Sequence, residues 1–183
     1  MKVRFLLFPM VIFLLFILAG CSSDDTIAKA DSEVNTVNKP SKEDAYVVKK
    51  EGESVLVVDA KPQDFSATGG EKEFYSAIGF SNIKEKLEIG QRVWIEVDGP
   101  IMESYPAQAK AGKVEILPTY KPDKADLTEV QVVREAIKIA DTKSKWFPAI
   151  RYVEYEEEGD IWKVGIKQEE NEYELVIKDK VEQ

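Results

Sequence analysis

Hydrophobic and polar positions divide the chain into successive regimes. Phe5 to Ala19 is an uninterrupted apolar run. Ser22 to Glu43 has only Ile27, Val34 and Val37 as larger apolar residues, among Ser, Asp, Asn, Lys and Thr and without any period. Such a segment cannot bury a core, and it is expected to be a disordered tether with a reach of roughly 25 Å. Ala45 to Leu117 reads as strands and turns. A helical spacing follows from Thr128, and alternation returns from Ala149 to Lys178.

In the first strand-rich region, valine-rich Ala45–Lys50 and Ser54–Asp59 flank Glu51-Gly52-Glu53, the pattern of a hairpin. Lys61 to Lys72, with Pro62, Gly69 and Gly70, reads as a loop. Glu73 to Phe80 is extended, and Ile83 to Leu87 is expected to form one helical turn. Arg92 to Val97 alternates Val93, Ile95 and Val97 with Arg92, Trp94 and Glu96, Asp98-Gly99-Pro100 closes it, and Lys113 to Leu117 is the last strand. Five strands with a short helical element between the third and fourth predict a small, partly open barrel of the OB type; an antiparallel sandwich is the alternative.

Thr119 to Asp126 carries Pro122 after Pro118 and is expected to be an inter-domain linker. Thr128 and Gln131 form a capping box, with Leu127 placed to staple onto Val132. Val133, Ala136, Ile137 and Ala140 then mark one buried helical face, ending near Asp141. The strands Ala149–Glu156, Ile161–Lys167 and Glu172–Lys178 complete an αβββ module able to bury one apolar layer. The predicted class is therefore mainly β with α+β: a leader over 1–20, a tether over 21–44, a barrel domain over 45–118, a linker over 119–126 and an αβββ domain over 127–180.

The leader adds an address. Lys2 and Arg4 precede the apolar run, and small residues lead into Cys21 and then Ser22-Ser23-Asp24-Asp25, the order of a secretory signal peptide. Leu18-Ala19-Gly20-Cys21 resembles the lipobox of bacterial lipoproteins, which implies diacylglyceryl transfer to the Cys21 thiol and cleavage before it. An uncleaved anchor is the alternative, although the run falls just short of the roughly 17–25 residues of a spanning helix. Either reading places the remainder outside the cytoplasm, at the outer face of the cell membrane.

Further residues carry a family resemblance. Ala45-Tyr-Val-Val-Lys-Lys, Phe65-Ser-Ala-Thr-Gly-Gly with Phe74-Tyr75, Ile89-Gly-Gln-Arg-Val-Trp94, and Asp98-Gly-Pro-Ile-Met-Glu-Ser-Tyr-Pro-Ala-Gln-Ala109 are similar to the YobA-like extracytoplasmic lipoproteins of Gram-positive bacteria, over Ala45 to Pro118. That family is of unknown function; it implies a small β domain outside the cell and supplies no catalytic residues. The C-terminal order resembles the PepSY and cystatin-like groups in layout only.

Composition then removes chemistries. The chain has no histidine, one cysteine and a formal net charge of −9, which loss of Lys2 and Arg4 with the leader would make −11. Imidazole catalysis and most zinc sites are excluded, and once Cys21 is acylated no thiol remains. Nucleic acid is an unsuitable partner for so acidic a surface. No cofactor and no metal is expected: the acidic run Glu154, Glu156, Glu157, Glu158 and Asp160 lacks the ordered spacing of a calcium loop.

The candidate binding surface is the long connection Asp98 to Ala111. Tyr105 could stack on a ring while Glu103, Ser104 and Gln108 offer hydrogen bonds beside Met102; alternatively Ile101, Met102 and Tyr105 plug the barrel end. Trp94, Trp146 and Trp162 could stack on carbohydrate, but each sits in or beside a predicted strand, so core or interdomain packing is the expected role. The expected function is non-catalytic binding of an envelope protein or wall component. Alternatives are a protease-inhibitory or pro-domain-like module and a carboxylate-dependent cell-wall hydrolase. Replacing Cys21 with Ala is expected to abolish radioactive palmitate incorporation and release the protein or leave an unprocessed precursor; unchanged labelling would refute the lipobox assignment.

Overall fold

The computed structural model describes residues 44–180. The leader, Cys21 and nearly all of the expected tether lie outside the described residues. Strands β1 (Ala45–Glu51), β2 (Ser54–Asp59), β3 (Ala77–Ser81), β4 (Arg92–Val97) and β5 (Ala107–Ile116) close into a barrel in the order β1-β2-β3-β5-β4. Strand β4 returns to β1, β3 and β5 run parallel, and the other pairings are antiparallel. Helix α1 (Glu129–Lys143) follows, and then a three-stranded antiparallel sheet of β6 (Ala149–Glu156), β7 (Ile161–Gln168) and β8 (Asn171–Lys178). Both halves of the predicted class, a small five-stranded barrel and an αβββ module, are present.

Strand β1 explains its own lack of alternation. Ala45 and Val47 point into the barrel core with Val55, Val57, Phe80, Leu87 and Val93. Tyr46 and Val48 lie on the other face, in a second cluster with Val58, Ala60, Tyr75 and Ala77 of the barrel, Val132, Val133, Ala136 and Ile137 of α1, and Trp162, Val164 and Ile166 of β7. A strand buried on both faces needs apolar residues at consecutive positions, and the run Tyr46-Val47-Val48 supplies them. The barrel wall and the helix-sheet layer therefore share one core.

The contact between barrel and helix is close. Gly90 sits at φ +91, and a Cβ there would lie 2.5 Å from the Val130 carbonyl oxygen of α1. Beside it Arg134 donates through Nε to the Ile89 carbonyl at 3.1 Å and through a terminal nitrogen to Glu88 at 2.6 Å. At the start of the helix the Tyr46 hydroxyl donates to Glu129 Oε1 at 2.6 Å, and the Arg92 guanidinium lies 3.8 Å from the same carboxylate and 3.6 Å from that of Asp44. Burial, then the Glu129 charge and this hydrogen bond, push the Tyr46 phenol far above its ordinary range. Tyr46 is thus a neutral donor that helps satisfy a buried carboxylate.

The capping box is present: the Gln131 amide donates to Thr128 Oγ1 at 3.4 Å and the Thr128 amide donates to Gln131 Oε1 at 2.9 Å. Three elements depart from expectation, the first being the third strand, which starts at Ala77 rather than Glu73. Residues 83–87 form no helical turn; one turn in isolation costs more than its single bond returns, and here Lys50 Nζ donates to the Leu87 carbonyl at 3.0 Å while Leu87 packs into the barrel core. Strand β5 starts at Ala107 rather than Lys113, because its first part pairs with β3 and its last with β4. Its inward residues there are Ala109 and Ala111, too small to give a strand signal.

Residues 119–126 are tied down. Asp179, 1% exposed, accepts from the Asp126 amide at 2.5 Å, the Leu127 amide at 2.8 Å and Trp162 Nε1 at 2.9 Å. Burial alone would raise this carboxyl; the Asp126 and Leu127 donors, with Trp162 and then the Lys121 charge, hold it below the usual carboxylate range. A depressed folded pKa contributes stability in full above the unfolded value of about 3.9 and loses it as pH falls through the folded one. Asp179→Asn is accordingly expected to cost about 2–3 kcal/mol near pH 7, with the gap to the parent closing below about pH 4. Urea melts at pH 7, 5 and 3 read this, and a gap undiminished in acid would refute it.

Candidate functional site

Four connections meet at one end of the shared core. The β2–β3 connection brings Phe65, Glu71, Glu73 and Phe74; the β4–β5 connection brings Tyr105; the segment after α1 brings Trp146 and Phe147; β7 and its turn into β8 bring Lys167, Glu169 and Glu170. Except for Phe65, all of them line a cleft of about 420 Å³. That volume lies within the range of small-molecule and peptide pockets.

Each aromatic group is fixed by backbone bonding nearby. Gln63 and Phe74 exchange both backbone hydrogen bonds, at 2.8 and 3.0 Å, an isolated bridge that turns Phe74 toward Tyr105. The Tyr105 hydroxyl donates to the Tyr75 carbonyl at 3.1 Å. Desolvation, followed by the charges of Glu71 and Asp59, raises the Tyr105 phenol, so it stays protonated as a donor. Buried Gln168 donates through Nε2 to the Trp146 carbonyl at 2.6 Å and the Ala140 carbonyl at 3.3 Å, and accepts from the Tyr173 hydroxyl at 2.7 Å. It thereby ties the aromatic pair Trp146-Phe147 to the end of α1.

The rings form a chain. Centroid separations are 5.5 Å from Phe65 to Phe74, 5.6 Å from Phe74 to Tyr105, 5.5 Å from Tyr105 to Phe147 and 6.0 Å from Phe147 to Trp146. The corresponding interplanar angles are 67°, 43°, 54° and 66°, so no two neighbours are coplanar. Phe65, Tyr105 and Trp146 keep 42%, 49% and 47% of their surface exposed. Exposed rings gathered in one place are uncommon on a monomer's surface and mark interaction sites.

Carboxylates surround the rings. Lys167 Nζ donates to the Glu73 carbonyl at 2.6 Å and pairs with Glu71 at 3.3 Å. Arg151 pairs with Glu73 Oε1 at 3.3 Å and with Glu172 at 3.1 Å. Glu73 Oε2 is shielded from solvent and has no hydrogen-bond partner among the described residues. Glu169 and Glu170 are exposed on the β7–β8 turn, with no ion pair among the described residues.

The candidate residues of the 98–111 segment part company. Tyr105 joins the aromatic cleft. Met102 and Gln108 form a bridge, with amide-to-carbonyl bonds of 2.8 and 3.2 Å, and line a separate groove of about 580 Å³ along β3 and the start of β5. Glu103 and Ser104 are exposed at the tip, where Ser104 Oγ donates to the Pro106 carbonyl at 2.7 Å, and line neither. Ile101 and Met102 are 48% and 63% exposed, and the residue from a connection that fills the barrel is Leu87.

Other sequence candidates have structural partners. Trp162 is fully buried, Trp94 lies under the Lys113 ammonium at 5.6 Å, and Lys143 caps the Tyr173 ring at 4.6 Å. In the acidic run, Glu156 contacts Lys163, Glu157 contacts Lys124, and Asp160 accepts from the Tyr155 hydroxyl. Sequence reasoning missed Phe74, Phe147, Lys167 and the four glutamates as site residues. The available signal was aromatic residues placed in polar connections, where no core requires them.

Because Tyr105 is half exposed, Tyr105→Ala should cost only about 1–2 kcal/mol, against about 3–5 for a fully buried aromatic, and Tyr105→Phe less than about 1.5. Urea denaturation measures both. A loss of 3 kcal/mol or more for the alanine variant would make Tyr105 a core residue rather than a cleft wall.

Among comparisons with known proteins, residues 45–118 match a family model described as "Protein of unknown function (DUF3221)". No curated protein and no solved structure matches the chain. The matched span covers the barrel and contributes Glu71, Glu73, Phe74 and Tyr105 to the cleft, whereas Trp146, Phe147, Lys167, Glu169 and Glu170 lie beyond it.

Proposed function

We propose that the protein is an extracytoplasmic lipoprotein, held at the membrane by lipid on Cys21, whose folded body is a non-catalytic binding module. The kinship to YobA-like lipoproteins read from the barrel motifs belongs to the same proposal. The observation that carries the binding half is the aromatic cleft: exposed rings from connections far apart in sequence, fixed by backbone bonds and rimmed with carboxylates. A wall made from so many segments keeps its shape only if the whole body holds together, which suits a preformed recognition surface.

A non-catalytic role is favoured by the state of the acids. Asp44 and Glu129 converge, but on Arg92 and Tyr46 beneath the helix, away from the cleft lining. Within the cleft Glu71 and Glu73 are engaged by Lys167 and Arg151. The chain has no histidine to carry protons between such groups. No helix among the described residues is long and apolar enough to cross a membrane, so on this reading attachment rests on the N-terminal segment.

Photocrosslinking in cells tests the binding half. A photoreactive residue at Trp146 should give a discrete adduct that the same residue at Glu115, exposed on the barrel wall and outside the cleft lining, does not. Identical adduct patterns from both positions, or none from Trp146, would overturn the assignment of the cleft.

A further inference from the structure

We propose that the cleft is a receptor for lysine side chains presented by a basic segment of a partner protein. The inference rests on reading the cleft as a binding surface and adds the class of ligand.

Ring geometry disfavours the obvious neutral ligand, an extended sugar chain. A sugar chain stacks on flat faces presented side by side, and here successive planes turn by 43° to 67°. The tilted, contacting rings instead make an uneven apolar wall on which Tyr105 and Trp146 stay half exposed. An exposed ring face attracts cations, because it carries the negative lobe of the ring quadrupole. Tyr105 contributes as a neutral phenol, since desolvation and the Glu71 and Asp59 charges keep it protonated.

The charge around the rings has the same sign preference. Glu71, Glu73, Glu169 and Glu170 line the cleft with Lys167 as the one cation among the described lining residues, and Arg151 pairs with Glu73 from outside the lining. The Lys167 ammonium is already shared between the Glu71 carboxylate and the Glu73 carbonyl. Glu169 and Glu170 stand at the rim, where an arriving ammonium meets them first. An anionic ligand would be repelled by this set and by a chain of net charge −9.

Size and shape favour a polypeptide over a free amine. The cleft of about 420 Å³ is larger than one ammonium group requires, and the ring chain continues past Phe74 to Phe65, outside the cleft lining. A lysine buries a long apolar stem below its charge. Phe74, Tyr105 and Phe147 can pack the stem while Glu169 and Glu170 take the head.

The test titrates the full-length protein with an N-acetylated, C-amidated Lys-Gly-Lys-Gly-Lys peptide, read by calorimetry and by the Trp146 indole resonance. Binding should weaken at least tenfold in the Glu169→Gln/Glu170→Gln variant and in Trp146→Ala. It should weaken also between 50 and 500 mM salt, and disappear when the lysines are acetylated. Equal binding of the acetylated peptide would overturn the lysine assignment, as would tetramethylammonium ion binding as tightly as the peptide. Binding of a chitin oligosaccharide that moves the Trp146 resonance, without peptide binding, would also sink it while leaving the cleft as a binding surface. No binding by any probe, together with no adduct from position 146 in cells, would remove both readings.

Discussion

The constraint on which the rest of the molecule depends is that one wall of the barrel is apolar on both faces. Val47, Val55 and Val57 fill the barrel interior while Tyr46, Val48 and Val58 face outward, and all are buried. An outer face of that kind left in water would forfeit about 1.5–3 kcal/mol for each large side chain. Helix α1 and the β6–β8 sheet cover it. Surface ion pairs such as Arg134 with Glu88 contribute about 0–1 kcal/mol and cannot substitute for that cover. Gly90 lets the helix backbone close onto the barrel, and the Tyr46–Glu129–Arg92 group fixes where along the wall the helix begins.

Covering the wall also creates the cleft. Where the sheet leaves the barrel, the shared core ends in Tyr75 and Ala149, and beyond them the β2–β3 and β4–β5 connections face the segment after α1 across a gap. The gap is lined by side chains that belong to neither core alone, which is how pockets commonly arise between packed units. Lys167 and Arg151, both on the helix-sheet side, reach across to Glu71 and Glu73 on the barrel side, so the acids at this seam also bind the two parts together.

The sequence made the elements legible where local chemistry and burial agree. Thr128 and Gln131 state the helix start in their own side chains, and Gly52 in its turn separates two valine runs; both features are found as read. Legibility failed where a strand owes its existence to a partner. Ala107 to Ala111 has no β-branched residue and is a strand because β3 lies beside it in parallel. Asp179 lies just past the last predicted strand, where no local pattern marks it, and is a buried acceptor for donors more than fifty positions upstream. The candidate loop was legible as a connection, and Tyr105 as its aromatic residue, but not the rings it meets: Phe74 and Phe147 lie 31 and 42 positions away in number, and no local pattern encodes that meeting.

The division of the cleft between its two sides bears on where function resides. The span matched by the family model ends at residue 118 and carries Phe74, Tyr105, Glu71 and Glu73. The facing rings Trp146 and Phe147, the Lys167 ammonium and the exposed Glu169 and Glu170 come from the part that follows. Neither side forms the cleft alone: the barrel would present a Phe-Tyr strip, and the helix-sheet layer a Trp-Phe pair beside a glutamate turn. A chain with the same barrel and a different covering layer would keep the fold of residues 45–118 and lose the cleft. The cleft is thus a property of the seam, and the barrel forms one rigid wall of it, whose second apolar face draws the other half into place.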